Sequence, residues 1–320
     1  MELLFLGTSS GVPTRERNVS AVALLAEKGK HWWLIDCGEA TQHQLLKTNL
    51  SIHDLQAVFI THLHGDHCYG MPGLLASAAM HGRTQELSII APKVVIEWLQ
   101  ATQRLTELYL PYPIVWQEVE TLTTWQDQVW QVSAHALKHR VPSYAYKFVE
   151  RQPALALATE KLQKAGIPRG PLWGQLQQGQ TIEFAGQQWA AEQFLIQQGK
   201  RRQLVVAGDN GEPEILQDWL GELDLLVHEA TYSDEVAQRL GADFGHSSAQ
   251  QLASFASKIG LPNLIMTHFS ARYAMDSQRS PSVHDLAAEA RAVYQGQLFL
   301  AQDFARFKLD RQGAVTAVAA

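Results

Sequence analysis

The chain has 320 residues, 46% of them apolar and 18% charged, the make-up of an ordinary globular protein with ample core. Its net charge of −6 excludes a basic nucleic-acid coat but leaves room for a local basic patch on an acidic body. Two cysteines, Cys37 and Cys68, exclude a disulfide framework, and no apolar run nears the roughly 20 residues that cross a bilayer. No membrane partner is expected, and a cytoplasmic location follows as the default.

Met1–Leu6 reads as a strand; it lacks a basic leader and meets Gly7 at once. Gly7-Thr8-Ser9-Ser10-Gly11-Val12-Pro13 is a turn-rich loop that runs on through Arg15 and Arg17. Val19–Ala26 and Trp32–Asp36 read as two strands of a hairpin, Thr41–Thr48 as a helix, and Ala57–Ile60 as a buried strand. Thr61-His62-Leu63-His64-Gly65-Asp66-His67 follows, and Leu74–Met80 reads as a helix. The histidines therefore sit in a strand-to-helix loop, at the end of a strand where open α/β sheets hold their ligands. Cys68 reads as a small buried apolar residue.

Beyond Met80, Leu87–Ala91 is a strand, Val94–Thr106 a helix, and Ile114–Val119 and Trp130–Ala136 are strands. His139 lies in a loop before the strand Tyr144–Val149. From Arg151 to Thr181 the texture turns to Pro, Gly, Gln and Ala, with one helical piece around Glu160–Ala165. This predicts an insertion over 151–181 protruding from a single domain of 1–320. Its basic residues are Arg151, Lys161, Lys164 and Arg169. Leu204–Ala207 then delivers Asp209, Leu223–Val227 delivers His228 and Glu229, and Leu264–Met266 delivers His268. Ser247–Ile259 reads as a helix capped by Ser247, after Gly245-His246. Val283–Tyr294 is a helix and Leu298–Leu309 closes the sheet. Strand after strand ends on a potential ligand, which predicts a layered α/β body with ligands gathered at one edge.

Imidazole and carboxylate are ligands that suit zinc. Four of them in one short loop crowd a single tetrahedral ion, so two metal sites sharing the loop fit better. His62 and His64, at alternate positions, can point together, and Asp66 and His67 can turn toward a second ion. His139, Asp209 and His268 are the best candidates to complete the sets. Asp209 is the carboxylate among them and the natural bridge. Two ions about 3.5–4 Å apart can sharpen a hydroxide between them and clamp a phosphorane in line.

These motifs resemble the metallo-β-lactamase superfamily and, within it, the ribonuclease Z family of tRNA 3′ endonucleases. The resemblance spans nearly the whole chain. It rests on the histidine loop, Phe5–Arg15, Asp36-Cys37-Gly38-Glu39, His228-Glu229-Ala230-Thr231, Gly245-His246-Ser247, and Thr267-His268 with the following Phe269–Tyr273. Gly170-Pro171-Leu172 looks like the centre of the family's flexible arm, the exosite that grips tRNA. The resemblance implies an αββα four-layer sandwich with a protruding exosite arm. It implies two Zn2+ per subunit, or Mn2+, with His62, His64, His139 and Asp209 on one ion and Asp66, His67, Asp209 and His268 on the other. Asp66 would accept the proton of the attacking water, and His246, oriented by Glu229, would assist the leaving oxygen. His228 would support the site through a hydrogen bond.

The implied reaction removes the 3′ trailer of precursor tRNA and leaves a 3′-hydroxyl. The implied active form is a homodimer whose arm holds tRNA cut by the other subunit. Substrate contacts are expected at Arg15, Arg17, Lys161, Lys164, Arg169, Gly170, Pro171 and Arg272. The chain departs from the family pattern at Gln175–Gln180, which lacks the lysines usual after the Gly-Pro, and at Asn210, where threonine is usual. The grip would then depend on Lys161, Lys164 and Arg169. The competing reading is a superfamily hydrolase of small esters, for which a remote basic arm has no use.

Overall fold

Along the first strand, Glu2–Gly7, Leu3 and Phe5 join one buried cluster while Leu4 and Leu6 join another. Alternation along a strand sends successive side chains to opposite faces, so this strand is covered on both sides. Leu55–Phe59 repeats the pattern, with Ala57 and Phe59 on one side and Val58 on the other. The computed structural model describes residues 1–152, 154–241 and 245–318.

Two sheets carry this pattern. The first has eight strands, in the order Val315–Val318, Arg306–Leu309, Glu2–Gly7, Ala21–Leu25, Trp32–Ile35, Leu55–Phe59, Leu87–Ala91, Ile114–Glu118. The second has seven, in the order Gln297–Leu300, Asn263–Thr267, Leu225–Glu229, Gln203–Ala207, Ser143–Glu150, Trp130–Leu137, Trp125–Gln126. Between the sheets lie Phe5, Trp33, Phe59, Trp130, Phe148, Val206 and Val227. Phe59 meets Trp125, Tyr146 and Phe148 edge to face at 5.1–5.3 Å, a geometry that adds to simple burial.

Helices Met71–Met80 and Lys93–Leu105 cover the outer face of the first sheet through Leu74, Leu75, Val95 and Leu99. Helices Ala249–Lys258 and Val283–Val293 cover the outer face of the second through Leu252, Phe255, Leu286 and Ala290. The architecture is the expected α/β, αββα four-layer sandwich. Among the described residues no helix is long and apolar enough to cross a membrane.

Several sequence-based boundaries change. The cap of helix Ala249–Lys258 is Ser248, whose hydroxyl accepts from Gln251 N at 3.0 Å; Ser247 instead donates to the Asn210 carbonyl. The helix at Thr41 stops at Leu45. The insertion does not end at Thr181. Strand Ala154–Leu157 pairs antiparallel with Leu195–Gln198 and closes a unit that extends nearly to Lys200. Within it lie helices Thr159–Lys164 and Pro171–Gln177, a hairpin Ile182–Phe184/Gln187–Trp189, and a core of Leu162, Ile167, Trp173, Leu176, Ile182, Ala191 and Phe194. Its elements are too short and too often broken by glycine to show periodicity in the sequence. Pro153, at its start, lies outside the described residues.

Candidate active site

Parallel strands end on the same edge of their sheet. Trp32–Ile35 and Leu55–Phe59 are parallel neighbours and lead into Asp36 and the His62–His67 loop. Gln203–Ala207, Leu225–Glu229 and Asn263–Thr267 are parallel neighbours and lead into Asp209, Glu229 and His268. Strand Ser143–Glu150 runs antiparallel to Gln203–Ala207, with Ala145 opposite Ala207. The loop before it, which carries His139, therefore opens at that edge too.

The side chains converge there in two sets. His62 Nε2 is 3.1 Å from His64 Nδ1, which is 3.2 Å from His139 Nε2. Asp209 Oδ2 faces this set, 3.6 Å from His62 Nε2 and 3.8 Å from His139 Nε2. In the other set His67 Nε2 and His268 Nε2 are 3.1 Å apart, and Asp209 Oδ1 is 3.3 Å from each. Asp66 Oδ2 lies 3.3 Å from His268 Nε2 and 3.5 Å from His67 Nε2. Each of the groups His62/His64/His139/Asp209 and Asp66/His67/His268 has its ligand atoms within 4.8 Å of one another.

This donor set fits a pair of divalent cations. Asp209 Oδ1 is buried without a hydrogen bond, an expensive condition for a carboxylate unless a cation completes it. Burial, with His67 adding to it, holds His62 well below the usual histidine range, so its ring is neutral and offers a lone pair. Burial opposes ionisation of Asp66 and Asp209, but the surrounding histidines outweigh it and keep both carboxyls below their usual range.

The rings are also held from behind. His67 Nδ1 meets Asp36 Oδ2 at 2.7 Å, His62 Nδ1 meets Thr61 Oγ1 at 3.0 Å, His139 Nδ1 donates to the Gly245 carbonyl at 2.7 Å, and His268 Nδ1 meets Thr231 Oγ1 at 3.0 Å. Such contacts fix ring orientation and tune ligand basicity. Asp36 stands in one of the motifs named above, but the sequence alone assigns it no contact with a histidine. It is buried, it also accepts from Thr61 N and Thr61 Oγ1 at 2.7 and 2.9 Å, and it sits at φ 59°, a strained backbone for a residue with a side chain. A carboxylate closing a strand beside the histidine strand was the available signal.

His246 Nδ1 lies 3.0 and 3.1 Å from the two oxygens of Glu229 and 3.7 Å from Asp209 Oδ2. Burial lowers its pKa, but the Glu229 carboxylate prevails and raises it to about 9. His228 is buried with both ring nitrogens engaged, by the Glu229 carbonyl at 2.8 Å and by Asn210 Nδ2 at 3.0 Å. It braces the strand end, with Asn210 as its side-chain partner.

The expected substrate contacts divide. Arg15 is exposed. Arg272 is exposed beside the site, its guanidinium 5.1 Å over the Tyr232 ring, whose edge meets His246 at 5.8 Å. Lys161, Lys164, Arg169, Gly170 and Pro171 are exposed on the inserted unit, with Arg169 packed 5.6 Å over Trp173. Arg17 differs from the other expected contacts: it is only 3% exposed, donates to the Ser270 carbonyl at 3.0 Å and approaches Met275 Sδ, and so braces the segment after His268.

A four-layer αββα body with a histidine–aspartate cluster at one sheet edge defines a protein of the metallo-β-lactamase fold. A metallo-β-lactamase fold protein of Bacillus subtilis superposes with a TM-score of 0.66 at 16% identity, covering 95% of this chain and 98% of its own. The family model described as "Anti-Pycsar protein Apyc1" matches residues 1–107, the third that holds the histidine loop. The likeness to another family runs the full length. A ribonuclease Z of Pseudomonas putida (strain GB-1) is 49% identical over 318 residues, 99% of this chain and 100% of that one. One from Marinobacter nauticus is 47% identical over 97% of each. The crystal structure of the short form of human tRNase Z superposes with a TM-score of 0.68 at 26% identity, covering 97% of this chain and 100% of that one. The chain belongs to the ribonuclease Z family and is an endoribonuclease.

Proposed function

We propose that this enzyme removes the 3′ trailer from precursor tRNA, leaving a 3′-hydroxyl on the tRNA, and that it uses two zinc or manganese ions per subunit to do so. The observation that carries the reading is Asp209, whose two oxygens face separate histidine sets across 3.3–3.8 Å. The tRNase name of the human structural relative supports the substrate.

Bound ions would supply Lewis acidity, lowering the pKa of a water and neutralising charge on the phosphodiester. His62, His64, His139 and Asp209 would hold one, and Asp66, His67, His268 and Asp209 the other. Asp66, fixed by the Gly11 N–H at 2.7 Å, takes the proton of the attacking water. His246 stands as the proton donor to the leaving oxygen, with Glu229 holding its tautomer and charge. Arg272 and Arg15 offer charge to the phosphates flanking the cut. The inserted unit, with Lys161, Lys164, Arg169 and the Gly170-Pro171 turn, grips tRNA away from the chemistry, and in a homodimer it serves the partner's site. A cytoplasmic location matches such a substrate.

The test is to incubate the protein with a precursor tRNA, with and without chelator, and map the new 3′ end. A single cut that leaves a 3′-hydroxyl, lost on chelation and restored by zinc, supports the reading. Cutting that ignores chelation, or hydrolysis of small esters with the precursor left whole, overturns it.

A further inference from the structure

Asp303 stands in the connection between the strands Gln297–Leu300 and Arg306–Leu309, remote in sequence from every site residue. Its carboxylate is spent on the loop after the first strand. Oδ1 accepts from Thr8 Oγ1 at 2.8 Å, and Oδ2 accepts from Asn18 N at 2.7 Å and from Gln44 Nε2 at 3.0 Å. Thr8 and Asn18 are the two ends of one loop, tied to each other as Thr8 N and Ser9 N both donate to the Asn18 carbonyl at 2.9 Å.

That loop touches the candidate centre at two points. Its tip presents the Gly11 N–H to Asp66 Oδ2 at 2.7 Å. Gly11 adopts φ 71°, a conformation glycine takes without cost. Ser9 and Ser10 pair in parallel with Phe269 and Ser270, and Phe269 N donates to the Thr8 carbonyl at 2.9 Å, directly after His268. Asp66 and His268 belong to the same ligand set, the one completed by His67. The other set, His62/His64/His139, has no contact with this loop among the hydrogen bonds of the described residues.

We infer that Asp303 is a positioning residue for one of the two ion sites: it locks the Thr8–Asn18 loop so that the Gly11 N–H aims Asp66 and the Ser9–Phe269 pairing places His268. This rests on the two-ion reading above. An asparagine at 303 could keep only one acceptor oxygen for three donors, and its own N–H2 would oppose the others. A misaimed loop would then release Asp66 and His268 together.

The test uses the full-length protein, stripped of metal and titrated with zinc against a chromophoric chelator. Asp303→Asn should weaken one of the two zinc equivalents by about 10–100-fold, the usual cost of losing support behind a ligand, and leave the other unchanged. kcat for precursor tRNA should fall similarly, and KM should rise by a smaller factor, since Arg15 is the one exposed basic contact expected on this loop and those of the inserted unit lie off it. Thr8→Val, which keeps the buried carboxylate and removes one donor, should weaken the same equivalent by a smaller factor, and it decides the matter if Asp303→Asn does not fold. Unchanged zinc affinities in the folded variant, or an equal loss at both equivalents, would overturn the inference. A wild-type protein that takes up fewer than two zinc ions would instead overturn the two-ion reading beneath it.

Discussion

Glu229 holds His246 by both carboxylate oxygens, 3.0 and 3.1 Å from Nδ1, and that contact fixes which nitrogen of the ring is left for chemistry. Glu229 is itself 1% exposed and accepts from Asn210 N at 2.8 Å, so it cannot swing away to follow a displaced ring.

His246→Ala should therefore lower kcat by about 10²–10⁴, the range for a positioned proton donor, with tRNA affinity nearly unchanged. Glu229→Gln should lose part of that range, because an amide neither charges the ring nor dictates its tautomer. Single-turnover cleavage of precursor tRNA measures both. A His246 variant with wild-type turnover where chemistry is rate-limiting removes the residue from the mechanism.

Asp36→Asn should weaken metal affinity or turnover by about 10–100-fold. The asparagine can still accept from Thr61, but it no longer holds a negative charge 2.7 Å from His67 Nδ1. Chelator competition on the folded variant is the check, and an affinity equal to wild type contradicts the role given to Asp36.

The ligands were legible because their chemistry is local: apolar strands that stop on His62, Asp209 and His268 display it in the sequence. Burial was not. Arg15 and Arg17 stand two residues apart in the same turn-rich loop, and both read as substrate contacts; only the fold turns Arg17 inward onto Ser270. Asp36 and Asp303 escaped for a related reason. Each acts on a partner 25 or more residues away; Asp36 at least closes a strand beside the histidine strand, whereas Asp303 lies in a connection that carries no such sign. The far end of the inserted unit is not visible in the sequence because its core draws single apolar residues from many short pieces, none long enough to set a period.

That unit supplies the third prediction. Val149 pairs with Gln203, and Glu150 N donates to the Arg202 carbonyl at 3.0 Å, so the chain enters and leaves the unit at neighbouring points. Replacing residues 152–199 with a short Gly-Ser turn should leave both sheets intact and preserve hydrolysis of a small phosphodiester. Affinity for precursor tRNA should fall strongly, and its salt dependence should become shallower as phosphate contacts are lost. Wild-type kcat/KM on tRNA would show that the unit is no exosite.

Acid stability gives a fourth. Arg202 is buried and pairs with Glu150 and, at 2.6 Å, with Glu27, which Arg311 also reaches at 2.6 Å. Partial burial raises the Glu27 pKa, but the Arg202 guanidinium outweighs it and keeps the carboxyl below its ordinary value of 4.5. A depressed acid contributes stability above its unfolded pKa and loses it as pH falls through the folded one. Glu27→Gln should thus lower Tm at pH 7 and flatten the decline of Tm below about pH 4.5. Because Glu27 is partly exposed, the effect should be modest and reduced by salt. A variant whose Tm falls more steeply with acid than wild type contradicts the assignment.

The shared carboxylate of Asp209 is the centre of the account, and counting ions against activity tests it most directly. Metal-free protein titrated with zinc should regain precursor-tRNA cleavage in step with uptake of about two ions per chain, the second being needed for full rate. Full activity at saturation with one ion per chain would contradict it.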